Sequence, residues 1–485
     1  MRRRWIHLFA LTACLTITGC VVEPTNQANK NIVASPLPSA TASPSPAEEK
    51  AANAAPLTLP VLDAFFADES FSGSLRKRLQ LTDEQVTKLK ELAHSETAKL
   101  NEENAGKGEG ESSNARSVAA EKISALIGAE KTRQLAVLVG ERWSGTADEA
   151  SDKTAAQPTN PNSRERVAGT PNAVPTDSRI VVNAPAYRMD VFDGGRLIKS
   201  YKIGIGYPQF PLPTGLRKAR VIIFNPTWTP PDEPWVAKMK DISVGEKVAA
   251  GSKLNPLGPI KVPIGGPSLI HGGKSPAKLG TFASHGCVGL TTPQVQDFAK
   301  VLAQLGGAHL TDAELTDYAR DKTQTKQIKL DQPVPVELRY ETIVVEDGKL
   351  HIYRDVYDQE TNTEENLRAV LEANGVRLDD LTEGERTQVV DALAHMSGKS
   401  GAGAVRPTAL SKESPSSVGP PRSSSLVERK SNSGKKPTVV KNQKEVVIEI
   451  AALKGKGYPS PVAFDTGSGK TRATLPSPPK REKQP

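Results

Sequence analysis

Three side chains that could carry nucleophilic chemistry lie close together in the chain: His271, His285 and Cys287. Cys287, in the stretch FASHGCVGL, is one of three cysteines among 485 residues. A thiol attacks a carbonyl as the thiolate, so it needs a base or a cationic neighbour. On an extended chain His285 and Cys287 share a face, whereas His271 must come from a neighbouring strand. The spacing does not decide which histidine touches the sulfur, but Gly286 would let backbone amides approach a ligand closely.

Other roles for Cys287 stay open on these residues alone. A zinc site could use it together with His271 and His285. However, no second cysteine lies nearby, and His309 and His351 lack the spacing of metal ligands. We therefore expect no metal and no other cofactor. A buried structural cysteine beside two unrelated histidines is the remaining alternative.

The N-terminus has the pattern of a lipoprotein signal peptide. A cationic MRRRW precedes the apolar run IHLFALTACLTIT, which is too short to span a bilayer comfortably, and the run ends in ITGC. ITGC resembles the bacterial lipobox, which implies removal of residues 1–19, lipidation of Cys20 and a lipid anchor in the cell envelope. By analogy with enterobacterial sorting, Val21 favours an outer membrane, facing the periplasm, if the organism has one.

This assignment changes the count of available thiols. Cys14 would be removed with the signal peptide and Cys20 would carry lipid, which leaves Cys287 as the only free thiol and excludes an intramolecular disulfide. An unpaired thiol in an oxidising envelope favours a chemical role.

Composition divides the chain into folded units and linkers. The 38 prolines, 38 glycines and 5% aromatic content indicate that a sizeable part of the chain is not folded. The net charge of +8 is concentrated in residues 397–485, which hold 17 Lys and Arg against 6 Asp and Glu. The basic character thus belongs to a tail, and we expect no nucleic-acid partner. The predicted order is signal peptide 1–19, Pro/Ser/Ala-rich spacer 20–60, α-helical domain 61–143, linker 144–177, catalytic β domain 178–358, helical appendage 359–395 and disordered basic tail 396–485.

The helical domain is predicted from two amphipathic segments separated by a Gly/Glu/Ser-rich break at 105–114. In LTDEQVTKLKELA, Thr82 is a plausible N-cap and Gln85 completes a capping box. LTDEQ weakly resembles the LTxxQ motif of small periplasmic helical proteins. A helical hairpin that acts as a spacer, or as a docking surface for an envelope protein, is the plainer interpretation.

From about Ser178 the apolar period changes from helix to strand. RIVVNAPAYRMDVFDGGRLIKSYKIGIG alternates apolar and polar residues around DGG, which predicts a hairpin. Further strand-like runs and short helices, such as TPQVQDFAKVLAQL, indicate a mostly-β domain. EVVIEIAAL at 445–453 could form a strand but has no obvious partner.

Within this domain the residues resemble the L,D-transpeptidase (YkuD-like) catalytic domain of bacterial cell-wall enzymes. That family's signature is His-Gly followed downstream by Ser/Thr-His-Gly-Cys, matched here by His271-Gly272 and by Ser284-His285-Gly286-Cys287. The segments FPLPTG, NPTWTPP and NPLGP also look like recurring segments of the family, in its order. The resemblance covers roughly 178–358 and implies a β-sandwich-like fold with short helices.

The resemblance also implies roles for individual residues. Cys287 would be the nucleophile, His271 its base, and the Gly272 carbonyl would orient the imidazole. His285 and the amides of Gly286 and Cys287 would line the oxyanion site. Ser284 would shape the substrate-binding loop by hydrogen bonding.

The implied substrate is a peptidoglycan tetrapeptide stem. Cys287 would form a thioester with the third residue and release D-alanine, and an amine of another stem would complete a 3→3 crosslink. Water would instead give carboxypeptidase activity, and a protein lysine would attach that protein to the wall. Acylation by carbapenems is implied as well. The alternative from another class is a wall-binding lipoprotein that keeps the fold with little turnover.

One position departs from the family pattern. The family usually has arginine or asparagine two residues after the cysteine, at the substrate pocket, and this chain has Gly289. Glycine supplies neither a guanidinium nor an amide, so the substrate carboxylate would be recognised by another cation, with Arg217, Lys218 and Lys274 as candidates, or less strongly.

Overall fold

A computed structural model describes residues 56–100, 104–106, 111–145, 170–230, 236, 241–243, 245–397 and 443–467. The predicted signal peptide, the lipidation site Cys20 and most of the spacer, linker and basic tail lie outside the described residues. No helix within the described residues is long and apolar enough to cross a membrane.

The N-terminal part of the described chain is a helical unit with its own apolar core. Its helices are α1 (Leu59–Phe66), α2 (Glu69–Leu79), α3 (Asp83–Thr97), α4 (Glu111–Ile127) and α5 (Ala129–Trp143). The predicted capping box is present: the Gln85 amide donates to Thr82 Oγ1 at 3.2 Å, and the Thr82 amide donates to Gln85 Oε1 at 3.1 Å. The second predicted segment is two helices, because Gly128 between them has φ +83°, outside the helical range.

The β domain is built on one curled sheet. Its strands are β1 (Arg179–Asn183), β2 (Arg188–Asp193), β3 (Arg196–Lys202), β4 (Ile205–Gly206), β5 (Gly215–Phe224), β6 (Ile260–Pro263), β7 (Leu269–His271), β8 (Phe282–Ser284), β9 (Val288–Gly289) and β10 (Lys326–Arg339). Eight of them pair in the order β3-β2-β1-β10-β5-β6-β7-β9, and β4 pairs with β8. The predicted hairpin at DGG is the β2–β3 connection, where Gly194 and Gly195 both have positive φ.

Helices α6 (Thr292–Leu305) and α7 (Asp312–Arg320) follow β9. The first is the predicted TPQVQDFAKVLAQL helix, and Val295, Phe298 and Leu302 on one face are fully buried in the core of the β domain. The predicted succession of a helical region and a mostly-β domain is therefore confirmed.

Residues 443–467 form regular structure, which corrects the prediction of a disordered tail over 396–485 for this segment, and 398–442 and 468–485 lie outside the described residues. Strands β11 (Ile343–Glu346), β12 (Lys349–Tyr353) and β13 (Glu445–Glu449) form an antiparallel sheet, covered by helices α8 (Glu364–Ala373) and α9 (Glu383–Met396). Residues 443–467 are ordered because they complete two strand edges. β13 pairs with β12, and the Ser200 amide of β3 donates to the Val462 carbonyl at 2.9 Å. EVVIEIAAL thus has a partner about 96 residues upstream, which no local pattern reveals.

Candidate functional site

The sheet brings the predicted base next to the predicted nucleophile. His271 is the last residue of β7, and β7 runs parallel to β9 with His271 opposite Gly289. The Leu290 amide donates to the His271 carbonyl at 2.8 Å and closes this register. Cys287 directly precedes β9, so the two sequence-distant parts of the motif meet at one end of two paired strands.

His271 is buried and held in one tautomer. Its side chain is 4% exposed, and Nδ1 lies 2.8 Å from the Gly272 carbonyl oxygen. A carbonyl only accepts, so Nδ1 carries the proton and Nε2 keeps the lone pair. Burial, helped by the positive charge of Lys274, lowers the pKa of His271 to about 3, although the carbonyls of Gly272 and Leu257 oppose the shift. The ring is therefore neutral at pH 7 and can accept a proton at Nε2.

The loop from β8 to β9 fixes the peptide that precedes the thiol. The Cys287 amide donates to Ser284 Oγ at 3.0 Å, and Ser284 Oγ donates to the Cys287 carbonyl at 2.5 Å. On the other side of the same peptide, Ser268 Oγ donates to the Gly286 carbonyl at 2.8 Å. Gly286 has φ +91°, which favours glycine at this turn.

Two consequences follow for the predicted oxyanion site. The Cys287 amide, which the resemblance places in this site, donates one hydrogen bond to Ser284 Oγ within its own turn. Ser268, which sequence reasoning missed, is a buried support of this turn. Ser268 directly precedes β7, and its position gives no local signal, because its hydrogen-bond partner is 18 residues away.

His285 lies in an aromatic setting. Its ring centroid is 4.7 Å from that of Phe210, with an angle of 88° between the ring planes, and 5.4 Å from that of Tyr207, with an angle of 62°. The chain packs tightly beneath these rings, since a Cβ on Gly206 would lie 1.9 Å from the Phe210 carbonyl oxygen. The orientation of His285 therefore depends on the segment that carries these two rings.

The space next to Gly289 is filled by a cationic side chain. A Cβ on Gly289 would lie 2.8 Å from Lys274 Cγ and 3.0 Å from Lys274 Cε. The Lys274 amide donates to the Leu290 carbonyl at 3.0 Å, which keeps the two segments together. Of the other cations considered, Arg217 is buried and donates to the Arg142 carbonyl at 3.3 Å, and Lys218 is an exposed residue of β5.

Within the described ranges, no group of three His, Cys, Asp or Glu residues is arranged to hold a metal ion. Cys287 is partly exposed. The chemistry available at this site is therefore that of a thiol beside a neutral imidazole, with a lysine ammonium close to both strands.

Comparison with known protein families gives one match, which lies in the β domain. Residues 177–333 match the family model of the YkuD L,D-transpeptidase catalytic domain. No curated protein matches the chain. Similar solved structures include the Ldtfm–avibactam carbamoyl enzyme (16% identity, TM-score 0.22, 34% of this chain and 49% of that one). Another is the catalytic domain of an E. faecium L,D-transpeptidase (17% identity, TM-score 0.21, 34% of this chain and 100% of that one). A third is an L,D-transpeptidase from Mycobacterium smegmatis (13% identity, TM-score 0.20, 34% of this chain and 58% of that one). The chain thus spans about half the length of the first of these.

Proposed function

We propose that the domain at 177–333, a match to the L,D-transpeptidase catalytic domain family, makes this chain a cysteine-dependent acyltransferase of peptidoglycan. The observation that carries the proposal is the meeting of His271 and the Cys287 loop on paired strands. An imidazole whose Nδ1 faces the Gly272 carbonyl has Nε2 available to accept a proton, as a general base must. L,D-transpeptidases act on peptidoglycan stems, so the substrate is a tetrapeptide stem.

The first half-reaction transfers an acyl group to sulfur. Cys287 Sγ attacks the carbonyl between the third residue of the stem and its terminal D-alanine, while the thiol proton passes to His271 Nε2. The tetrahedral intermediate collapses when the bond to the D-alanine nitrogen breaks. His271 returns the proton to that nitrogen, D-alanine leaves, and a thioester on Cys287 remains.

The second half-reaction transfers the acyl group to an acceptor. The side-chain amine of a diamino acid in another stem attacks the thioester, and His271 accepts its proton. The carbon–sulfur bond breaks, the thiol is restored with that proton, and a 3→3 crosslink is made. Water as the acceptor gives carboxypeptidase activity, and a protein lysine gives attachment to the wall. The thioester passes its acyl group to an amine with no help from a metal.

Lys274 is proposed as the cation that recognises the stem carboxylate. The methylene groups of the Lys274 side chain lie against Gly289, at the position where the family pattern has a side chain. The positive charge of Lys274 also lowers the pKa of His271. An ammonium on a four-carbon stem can pair with a carboxylate held beside the scissile bond.

The envelope location is also a proposal. The lipobox-like ITGC supports lipidation at Cys20 and a tether to a membrane surface that faces peptidoglycan. Metabolic labelling with a lipid precursor tests it: label should enter the wild type and not Cys20→Ala, and equal labelling of both would contradict it.

Product analysis tests the enzymatic proposal. Disaccharide-tetrapeptide incubated with the full chain should yield free D-alanine and a 3→3 dimer by liquid chromatography and mass spectrometry. Cys287→Ala and His271→Gln should abolish both products, whereas His309→Gln, which changes an exposed histidine outside the site, should not. Binding of the stem with no product from the wild type would favour the wall-binding alternative.

A further inference from the structure

The segment that covers His285 is the 207–212 loop, which joins β4 to β5. Tyr207 and Phe210 supply the two rings that pack on His285, at 5.4 and 4.7 Å between centroids. The Tyr207 amide donates to the Ser284 carbonyl at 2.8 Å, which connects the loop to β8 as well. Any displacement of the 207–212 loop therefore moves the surroundings of the His285 ring.

The helical unit holds this loop through its backbone. Thr58 Oγ1, at the start of α1, donates to the Gln209 carbonyl at 2.8 Å. Ser112 Oγ, in the first turn of α4, donates to the Pro208 carbonyl at 2.8 Å. Both hydroxyl side chains belong to residues that are 1% exposed. Two consecutive carbonyls of the loop are thus satisfied by two different helices of the helical unit.

Apolar contacts reinforce these hydrogen bonds. Leu100 and Ala105, from the connection that follows α3, form one buried cluster with Tyr207 and Phe210. The Gln209 amide donates to the Ala105 carbonyl at 3.4 Å. The two rings on His285 therefore have their other sides packed against the helical unit.

A second connection runs through the turn at 355–358. The amides of Ser112 and Ser113 donate to Asp358 Oδ2 at 3.0 and 3.2 Å, so a carboxylate of this turn caps α4. Arg116 donates to the carbonyls of Tyr357 and Asp358 at 2.9 and 2.6 Å. The same helix that holds the 207–212 loop thus also fixes this turn.

Tyr357 connects the turn to both ends of the loop. Its hydroxyl donates to the Gly206 carbonyl at 3.0 Å and accepts from the Leu212 amide at 3.2 Å. Tyr357 is 1% exposed, so this hydroxyl has its hydrogen bonds in the interior. Both ends of the loop, and two carbonyls between them, are held by groups that depend on α4 or α1.

We propose that the helical unit is a positioning element of the active site, which fixes the 207–212 loop and through it the ring of His285. The face of the unit that includes Thr58, Ala105 and Ser112 is occupied by the chain's own β domain. The helical unit is therefore more than a spacer, because it sets the orientation in which His285 faces the developing oxyanion. The inference rests on the proposed function, in which His285 has that role.

The experiment separates oxyanion chemistry from thiol reactivity. The full chain is treated with imipenem, which must form a tetrahedral intermediate, and separately with iodoacetamide, which alkylates the thiolate without one. Ser112→Ala should slow acylation by imipenem about tenfold, as expected for one lost buried hydrogen bond, and leave alkylation unchanged. Ser113→Ala, which removes the neighbouring exposed hydroxyl, should change neither rate.

Thr58 provides an independent pair of variants. Thr58→Val keeps the shape and removes the hydroxyl, so it should reproduce the selective loss of acylation. Thr58→Ser keeps the hydroxyl and should restore the wild-type ratio of acylation to alkylation. Equal ratios for all four variants and the wild type would overturn the inference, as would a parallel fall of both rates.

Hydrogen exchange keeps this test separate from the proposed function. The amides of the 207–212 loop should exchange faster in Ser112→Ala than in Ser113→Ala, whether or not the chain reacts with imipenem. Unchanged exchange in the loop would refute the coupling. A wild type that shows this coupling but is never acylated would refute the proposed function alone.

Discussion

Lowering the pH from 7 to 5 should leave His271 uncharged and destabilise the folded protein. The pKa of this imidazole is about 3 in the folded state, against 6.5 for an ordinary histidine. Below pH 6.5 the unfolded chain therefore binds a proton that the folded chain does not bind, so stability falls as the pH falls toward 3. Between pH 7 and pH 5 this difference in proton binding raises the unfolding equilibrium constant about 25-fold, which lowers the free energy of unfolding by about 2 kcal/mol.

Two measurements check this prediction. Urea denaturation at pH 7 and pH 5 should show a loss that is about 2 kcal/mol larger in the wild type than in His271→Gln, because the variant lacks the titrating ring. In ¹⁵N-histidine NMR spectra, the signal that disappears in His271→Gln should be that of a neutral Nδ1–H tautomer at pH 5. The same pH dependence in both proteins, or a His271 ring that titrates near pH 6.5, would refute the reasoning.

Three further predictions concern other parts of the chain. Lys274→Met should lower kcat/KM about tenfold for a peptide stem with a free carboxylate, and less for a stem in which that carboxylate is amidated. Lys253→Met is the control. An equal loss of kcat/KM on both stems would contradict the role assigned to Lys274. Gly206→Ala should destabilise the chain by about 2 kcal/mol or more in thermal denaturation, because the added Cβ would clash with the Phe210 carbonyl oxygen. Gly73→Ala is the control: Gly73 lies in a helix, its added Cβ would contact no other atom, and the variant should be more stable by up to about 1 kcal/mol. Similar melting temperatures for both variants would refute the close packing at Gly206. Removal of 443–467 should expose the β12 edge and make helices α8 and α9 sensitive to limited proteolysis, and unchanged resistance would show that this segment does not hold them.

Local sequence signals predicted much of the fold. The capping box at Thr82 and the Gly194–Gly195 hairpin each depend on residues a few positions apart, so a short stretch of sequence is enough to predict them. The motif around His271 and Cys287 is similarly compact. Its parts are separated by one strand and a short connection, and it predicted which strands must be neighbours.

Contacts between distant residues could not be predicted in the same way. Ser112 and Pro208 are 96 positions apart, and nothing in either segment marks the hydrogen bond between them. The same holds for β13, whose alternating Val446 and Ile448 show a buried face but not the strand that covers it. At Gly289 the sequence showed a missing side chain, whereas the structure showed that Lys274 occupies its space.

The central claim is that Cys287 forms a covalent bond with the stem peptide, and intact-protein mass spectrometry tests it most directly. The full chain, mixed briefly with disaccharide-tetrapeptide, should gain the mass of the substrate less one D-alanine, and peptide mapping should locate the adduct on Cys287. The adduct should be absent from Cys287→Ala. Release of D-alanine by Cys287→Ala at the wild-type rate, or a wild type that binds the stem and gains no mass, would contradict the account.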